Sequence, residues 1–229
     1  MIGFWDYTVV LTYVSFASAV LGMVCTMSGN LRWAVFCLAF CGFCDMFDGK
    51  IARSKKNRTE EGKSFGIQID SLCDMVCFGA LPIMICYKIG MNHFYSMVIL
   101  TFYGLAGLIR LAYFNVMEEK RQRETLEERK FYQGLPITSM SIVLPIVFVA
   151  APLFSSRQIF MISLHAVVAL VGLLFILDFK FRKPAAAEIF ILVVAVAAAV
   201  LAIIYVERSW WKFFYVVGDI CKIPQQLFF

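Results

Sequence analysis

The sequence has few charged residues and no stretch that looks like a soluble domain. Charged side chains make up 16% of its 229 residues and hydrophobic side chains 61%, whereas soluble domains have roughly 45–50% apolar residues. It contains no solenoid-type repeat and no low-complexity tract. This composition argues against a soluble protein and predicts an integral membrane protein, with a single membrane domain over residues 1–229.

Histidine is scarce, and paired cysteine motifs are nearly absent. His93 and His165 have no second ligand at a usable spacing, so both are predicted to be structural. The C-x-x-C motif at Cys41–Cys44 lies in an apolar run and has no second pair in a polar loop, which argues against zinc or redox chemistry. We interpret the cysteines of the apolar runs as small packing residues. The first residues lack a basic region and a cleavage site, so the first apolar run is expected to be a retained span.

Long apolar runs dominate what is present. A run of about 20 apolar residues is needed to cross a bilayer as a helix. We predict an all-α fold: a polytopic transmembrane bundle with a six-helix core over residues 8–183 and one or two further C-terminal spans over residues 184–229. The aromatic stretch Trp210–Val217 is either a short eighth span or an interfacial segment. The seven predicted spans are Thr8–Thr26, Leu31–Ala52, Ile67–Tyr87, Phe94–Val116, Leu135–Leu153, Ile159–Leu177 and Ala185–Val206.

The basic residues between the spans indicate an orientation. They concentrate in the loops Lys50–Lys63, Glu118–Lys130 and Asp178–Lys183, whereas the alternate loops are short and nearly uncharged. The positive-inside rule places the three basic loops on the cytoplasmic side of the cell membrane. Because Glu118–Lys130 mixes acids and bases, we expect it to extend the fourth span into water as a charged helix, as a solvated connector rather than a binding element. The positive net charge is spread over these loops, so no nucleic-acid partner is predicted.

Four aspartates stand at the polar ends of the second and third predicted spans. Asp45 and Asp48 are three residues apart, and Asp70 and Asp74 are four apart, so each pair shares one face of a helix. An ionised Asp within a bilayer costs about 2.5–3.5 kcal/mol on insertion scales, and such residues usually face partners or water. Two facing pairs would repel each other unless cations lay between them, whereas capping a helix end needs only one carboxylate. The pattern predicts a site for Mg²⁺ or Mn²⁺, hard cations that take oxygen ligands and often carry substrate phosphates.

The same stretch resembles the signature of the CDP-alcohol phosphotransferase family, D-x-x-D-G-x-x-A-R followed by G-x-x-x-D-x-x-x-D. The spacer Ser54–Phe65 is about four residues longer than is usual in the family, roughly one helical turn that the loop could absorb. The resemblance covers about Thr8 to Lys183. All eight fixed positions are present, namely Asp45, Asp48, Gly49, Ala52, Arg53, Gly66, Asp70 and Asp74.

Within this family the chain is most similar to the membrane-embedded phosphatidylserine synthases. The similarity is carried by the segments Asp70–Pro82, Arg110–Asn115 and Gly134–Pro136. Phosphatidylglycerophosphate synthases typically have Pro and Lys around the last two aspartates, where this chain has Ser71 and Met75. The resemblance implies transfer of a phosphatidyl group from CDP-diacylglycerol to L-serine with release of CMP, in a homodimer embedded in the lipid bilayer. The acceptor could instead be another polar alcohol, or the donor an archaeal CDP-ether lipid.

The resemblance also implies roles for individual residues. The four aspartates would bind two Mg²⁺ or Mn²⁺ ions, and Asp74 is in addition the family's proposed general base, a role that competes with metal ligation. Arg110 could contact a carboxylate or a lipid phosphate, or form a structural salt bridge with an aspartate. A divalent-cation transporter is a remote alternative, because the aspartates lie next to one basic loop rather than at the membrane centre. The implied nucleotide contacts are Asp48, Gly49, Ala52, Arg53, Gly66 and Asp70, and the implied serine contacts are Ser71, Arg110 and Asn115.

Overall fold

The structure, a computed structural model, describes residues 7–54, 59–124 and 131–182. A 3₁₀ turn at Tyr7–Val9 leads into helix α1 (Val10–Met27), which a tight turn joins to α2 (Leu31–Ser54). Gly29 in that turn has φ +81°, a conformation that favours glycine. The span predicted at Thr8–Thr26 is confirmed, and the residues predicted as the second span, Leu31–Ala52, form a helix.

The third span is one continuous helical segment built from three parts. Helix α3 (Glu60–Asp74) passes through a π-helical turn (Met75–Ala80) into α4 (Leu81–Ile89). It begins seven residues before the predicted Ile67, because Thr59 caps it by accepting a hydrogen bond from the Gly62 amide at 3.1 Å. The spacer expected to be a loop is therefore partly helical.

The fourth span is helix α5 (Phe94–Glu124). It continues well past the apolar run that ends near Val116, so the predicted charged extension is confirmed as far as Glu124. The structure also contains two short strands. Strand β1 (Phe131–Gln133) pairs antiparallel with β2 (Lys180–Arg182), with Tyr132 opposite Phe181.

The fifth predicted span, Leu135–Leu153, is a shorter and interrupted helix. Helix α6 covers only Met140–Ala150, and 3₁₀ turns at Ile137–Ser139 and Ala151–Leu153 flank it. Prolines explain the interruption: Pro136 precedes the first turn and Pro152 lies in the second, where neither can donate a backbone hydrogen bond. Helix α7 (Arg157–Ile176) then matches the sixth predicted span.

Small residues let α1 and α2 approach closely. The hydroxyl of Ser18 donates to the Cys37 carbonyl at 3.3 Å, and the Cys41 thiol donates to the Ser15 carbonyl at 3.3 Å. A Cβ added at Gly22 would lie 3.0 Å from the Cβ of Cys37. Small residues at helix contacts are typical of membrane bundles, where close packing replaces a hydrophobic driving force. The seven cysteines of the described part of the chain are free thiols, as the packing interpretation predicts.

The outer surface of the bundle is apolar. Leu153 is 85% exposed and Ile162 69% exposed, as expected of side chains that face lipid. Within the described ranges, four helical segments are long and apolar enough to cross a membrane: Val10–Met27, Glu61–Ile89, Phe94–Arg121 and Arg157–Ile176. Helix α2 is also long, but each of its 18-residue stretches holds at least three charged residues. The fold is thus the predicted polytopic helical bundle, and the predicted spans Ala185–Val206 and Trp210–Val217 lie outside the described residues.

Candidate active site

Helix α2 carries the first aspartate pair, and close packing fixes its position. A Cβ added at Gly42 would lie 2.6 Å from the Cβ of Ser141, so α2 and α6 touch there through the bare glycine backbone. Asp45 follows Gly42 by about one helical turn and Asp48 follows Asp45 by another. Asp48 is 8% exposed, so its carboxylate is shielded from water by the bundle itself.

Helix α3 carries the second pair. Asp70 and Asp74 lie one turn apart at the end of α3, and the π-helical turn starts directly after Asp74. The hydroxyl of Tyr103 in α5 donates to the carbonyl of Phe78 within that turn. Because π-turns are rare and occur often at functional sites, this irregularity marks the inner end of the site.

The two helices bring the aspartates together. Carboxylate oxygens of Asp45, Asp70 and Asp74 all lie within 4.8 Å of one another. Asp48 lies beside this group, close enough to Asp45 and Asp70 for their charges to interact. Four carboxyl groups this close repel one another when ionised, and a multivalent cation relieves that repulsion. The donor set is made of oxygen alone and comes from two rigid helices, which fits a hard divalent cation.

The remaining signature residues lie on the same two helices. Gly49 directly follows Asp48 and is partly buried, and Gly66 lies one turn before Asp70 in α3. Helix α2 continues through Ala52 and Arg53 to Ser54, which places Arg53 more than a turn beyond Asp48. The described signature residues therefore lie in the C-terminal half of α2 and in α3.

A polar contact between α3 and α5 joins two of the predicted serine contacts. The hydroxyl of Ser71 donates to Asn115 Oδ1 at 2.6 Å. Asn115 Nδ2 donates to Gln68 Oε1 at 3.4 Å, and Gln68 Nε2 donates to Glu119 Oε1 at 3.3 Å. Ser71 and Asn115 are thus neighbours, and Ser71 lies one turn before Asp74 in α3.

Arg110 is the third predicted serine contact, and it is buried, with 8% of its surface exposed. Its Nη2 donates to the Gly134 carbonyl at 3.3 Å. Gly134 has φ +69°, and a Cβ there would lie 2.9 Å from Arg110 Nη1 and 2.8 Å from the Leu177 carbonyl, so only glycine fits. This hydrogen bond joins two of the segments that carry the family resemblance, Arg110–Asn115 and Gly134–Pro136.

Sequence reasoning missed Gln68 and Glu119. Their spacing held a signal: Gln68 lies three residues before Ser71, and Glu119 four residues after Asn115, so each shares a helix face with a predicted contact. Recognising the pairs required the register between α3 and α5, which a single sequence does not provide. His165, predicted to be structural, donates from Nδ1 to the Met161 carbonyl at 2.6 Å and accepts from Ser96 at 2.7 Å.

Comparison with known proteins gives relatives of one kind. A 106-residue stretch is 36% identical to CDP-diacylglycerol–serine O-phosphatidyltransferase of Saccharomyces cerevisiae, over 45% of this chain and 37% of the yeast protein. The protein of the same name from Methanocaldococcus jannaschii is 28% identical over 196 residues, 83% of each chain. Archaetidylserine synthase of Methanothermobacter thermautotrophicus is 26% identical over 135 residues, 58% of this chain and 54% of that protein. The match thus spans about a third of the yeast protein and about half of the archaetidylserine synthase.

A family model agrees with the signature and with the helical bundle. The model for CDP-alcohol phosphatidyltransferase matches residues 7–177, which includes both aspartate pairs and every described helix. Since this match covers most of the 229 residues, the chain belongs to the CDP-alcohol phosphatidyltransferase family.

Proposed function

We propose that the chain transfers the phosphatidyl group of CDP-diacylglycerol to the hydroxyl of L-serine and releases phosphatidylserine and CMP. The observation that carries this proposal is the cluster formed by Asp45, Asp70 and Asp74, whose oxygens lie within 4.8 Å of one another. The cluster belongs to the signature that places the chain in its family. Relatives from a yeast and an archaeon are named for serine as the acceptor.

The four aspartates would hold Mg²⁺ or Mn²⁺, and two ions match their number and arrangement. Such cations neutralise the diphosphate of the donor lipid and polarise the phosphoryl oxygens. Asp45, Asp70 and Asp74 supply the tightest set of oxygens, and Asp48 extends it through its contact with Asp70. Rigid helices hold these oxygens in advance, which reduces the reorganisation needed when the donor binds.

The nucleotide of the donor would lie where α2 and α3 diverge. Gly49 and Gly66 have no side chains, so the cytidine phosphates can come close to both helix backbones. Ala52 is small enough to allow the same approach. Arg53 is placed to contact a phosphate oxygen or the cytosine edge. The acyl chains would leave the site sideways, toward the apolar outer surface of the bundle.

Asp74 would act as the general base. In the proposed step the serine hydroxyl oxygen forms a bond to the phosphorus of the phosphatidyl group. The bond from that phosphorus to the oxygen bridging to the CMP phosphate breaks, and CMP leaves with the bonding electrons. The proton of the serine hydroxyl passes to Asp74. Ser71, Arg110 and Asn115 would orient the serine, with the guanidinium of Arg110 suited to its carboxylate.

Four described helical segments are long and apolar enough to cross a membrane. We infer that the protein resides in the cell membrane with the aspartates on the cytoplasmic side. The three basic loops support this orientation. We also infer a homodimer, as the family resemblance implies. The domain division proposed here assigns residues 8–183 to the catalytic core and residues 184–229 to an additional span and tail.

A CMP-release assay tests the proposal. Purified protein is incubated with CDP-diacylglycerol, Mg²⁺ or Mn²⁺, and a panel of L-serine, glycerol, ethanolamine and inositol. We expect CMP release that depends on L-serine and yields phosphatidylserine. CMP release with another alcohol alone would overturn the choice of acceptor, and no release with any of them would overturn the proposal itself.

The relative named archaetidylserine synthase favours a second candidate donor. The same assay with a CDP-activated ether lipid distinguishes it, since an archaeal enzyme of this kind should use the ether donor at least as well as the ester donor. A divalent-cation transporter, by contrast, would accumulate Mn²⁺ in proteoliposomes without any lipid donor.

A further inference from the structure

Four polar side chains form a hydrogen-bonded chain between α3 and α5. From the end near the aspartates outward, it runs from Ser71 through Asn115 and Gln68 to Glu119, with successive donor–acceptor distances of 2.6, 3.4 and 3.3 Å. Ser71 is the residue next to Asp70 and lies one turn before Asp74. These hydrogen bonds therefore connect the carboxylate of Glu119 in α5 with the hydroxyl of Ser71, the residue next to Asp70 of the carboxylate cluster.

The chemistry of Glu119 fixes the direction of every hydrogen bond in this chain. An ionised carboxylate can only accept, so Gln68 must turn its Nε2 toward Glu119 and its Oε1 toward Asn115. Asn115 must then donate from Nδ2 to Gln68, which turns its Oδ1 toward Ser71. Ser71 must in turn donate its only proton to Asn115. The carboxylate of Glu119 can only accept, and this alone sets the orientation of the Gln68 and Asn115 amides.

We propose that Glu119 is a positioning residue for acceptor specificity: it makes Ser71 present a hydrogen-bond acceptor, and not a donor, to the ammonium group of the substrate. A serine hydroxyl has one proton and two lone pairs, and the proton is already committed to Asn115. The lone pairs remain to accept a hydrogen bond from a cationic donor such as an amino alcohol. The inference rests on the proposed function and names the groups that would select an ammonium-bearing alcohol over a neutral one.

The neighbouring acid provides a contrast. Glu118 forms a salt bridge with Arg121 on the same helix, with 2.5 Å between its Oε1 and Arg121 Nη2. This pair stays within α5, whereas Glu119 reaches across to α3. The two glutamates are adjacent in α5 and have the same charge, so one serves as the control for the other.

The decisive variant is Glu119→Lys. A lysine ammonium can only donate, so it reverses the hydrogen bonds: Gln68 presents Oε1 to it, and Asn115 presents Oδ1 to Gln68. Ser71 then accepts from Asn115 with one of its two lone pairs and turns its proton outward, toward the ammonium group of the substrate. We expect the KM for L-serine to rise about 10- to 100-fold, as loss of a hydrogen bond to a charged group predicts. The KM for CDP-diacylglycerol should stay close to that of the unmodified protein. Glu118→Lys, with the same change of charge, should leave the KM for L-serine nearly unchanged.

Two further measurements separate this role from a structural one. The ratio of kcat/KM for L-serine to that for glycerol should fall in Glu119→Lys, because only serine has the ammonium group. In Ser71→Ala the acceptor is already lost, so adding Glu119→Lys should raise the KM for L-serine little further. Equal KM values in Glu119→Lys and Glu118→Lys, or additive effects of Glu119→Lys and Ser71→Ala, would overturn the inference while serine-dependent CMP release still stood.

Discussion

Gly42→Ala should destabilise the bundle through the contact between α2 and α6. The new Cβ would meet both the hydroxyl of Ser141 and its Cβ, the latter at 2.6 Å. The hydroxyl can rotate away at the cost of its 2.7 Å hydrogen bond to the Thr138 carbonyl. The Cβ of Ser141 cannot, because the backbone fixes it. Carbon atoms pack at about 3.5–4.0 Å, so the two helices must separate by roughly 1 Å at this level.

The free energy of unfolding should fall by about 1–3 kcal/mol, the usual cost of an extra methyl group in a well-packed interior. For a chain of this size that corresponds to a loss of about 2–4 °C in Tm per kcal/mol. Thermal unfolding of the purified protein in detergent, followed by near-UV circular dichroism, measures it. Activity should fall too, because Asp45 lies one turn beyond Gly42 on the displaced helix.

Gly104→Ala is the matched control. A Cβ at that position would lie 3.2 Å from Ile83 Cδ1, the flexible end of a side chain that can move. We expect no loss of stability there, since alanine is favoured over glycine in a helix by about 1 kcal/mol. Ser141→Gly should restore part of the stability of Gly42→Ala in the double variant. Unfolding of Gly42→Ala at the same temperature as Gly104→Ala would refute a tight contact between α2 and α6. So would additive effects of Gly42→Ala and Ser141→Gly on the free energy of unfolding.

Three further predictions concern the site and the topology. CMP release should vanish in a chelator and return with Mn²⁺ or Mg²⁺, because the ligand set consists of oxygen; turnover in verified metal-free protein would remove the metal from the reaction. A cysteine at Asn57 should stay unlabelled by an impermeant thiol reagent in intact cells and react after permeabilisation, relative to unmodified protein; labelling from outside would invert the topology. Asp74→Asn should lower turnover by about 10²–10⁴-fold with donor-lipid binding largely kept, whereas Asp48→Asn should weaken metal and nucleotide binding together. Near-normal turnover in Asp74→Asn would exclude it from the chemistry.

The helices and the aspartate cluster could be predicted because both depend on local pattern. Apolar runs of membrane length gave both ends of α1, α2 and α7 to within two residues. Spacings of three and four residues placed Asp45 with Asp48, and Asp70 with Asp74, on common helix faces. The start of α3 was missed because the mostly polar residues 60–64 precede the apolar run, and a capped helix does not need apolar residues to begin.

Contacts between distant helices could not be predicted in the same way. The contact between Gln68 and Glu119 depends on the position of α3 relative to α5 along the helix axes, and the hydropathy pattern does not determine that position. The length of α6 depended on Pro136 and Pro152, whose effect the apolar run concealed. The close approach at Gly42 is likewise visible only when Ser141 is placed opposite it.

Helix α3 takes part in both halves of the proposed reaction site. Helix α3 holds Asp70 and Asp74 for the metal, and its hydrogen bonds to α5 hold Ser71 in place. Further along this contact, the hydroxyl of Tyr103 in α5 donates to the carbonyl of Phe78 in the π-helical turn. Because α2 supplies the other aspartates and α5 supplies none, the acceptor side can change through α5 while the metal side stays intact. Substitutions in α5 should therefore redirect the choice of alcohol at smaller cost to metal binding than substitutions in α2.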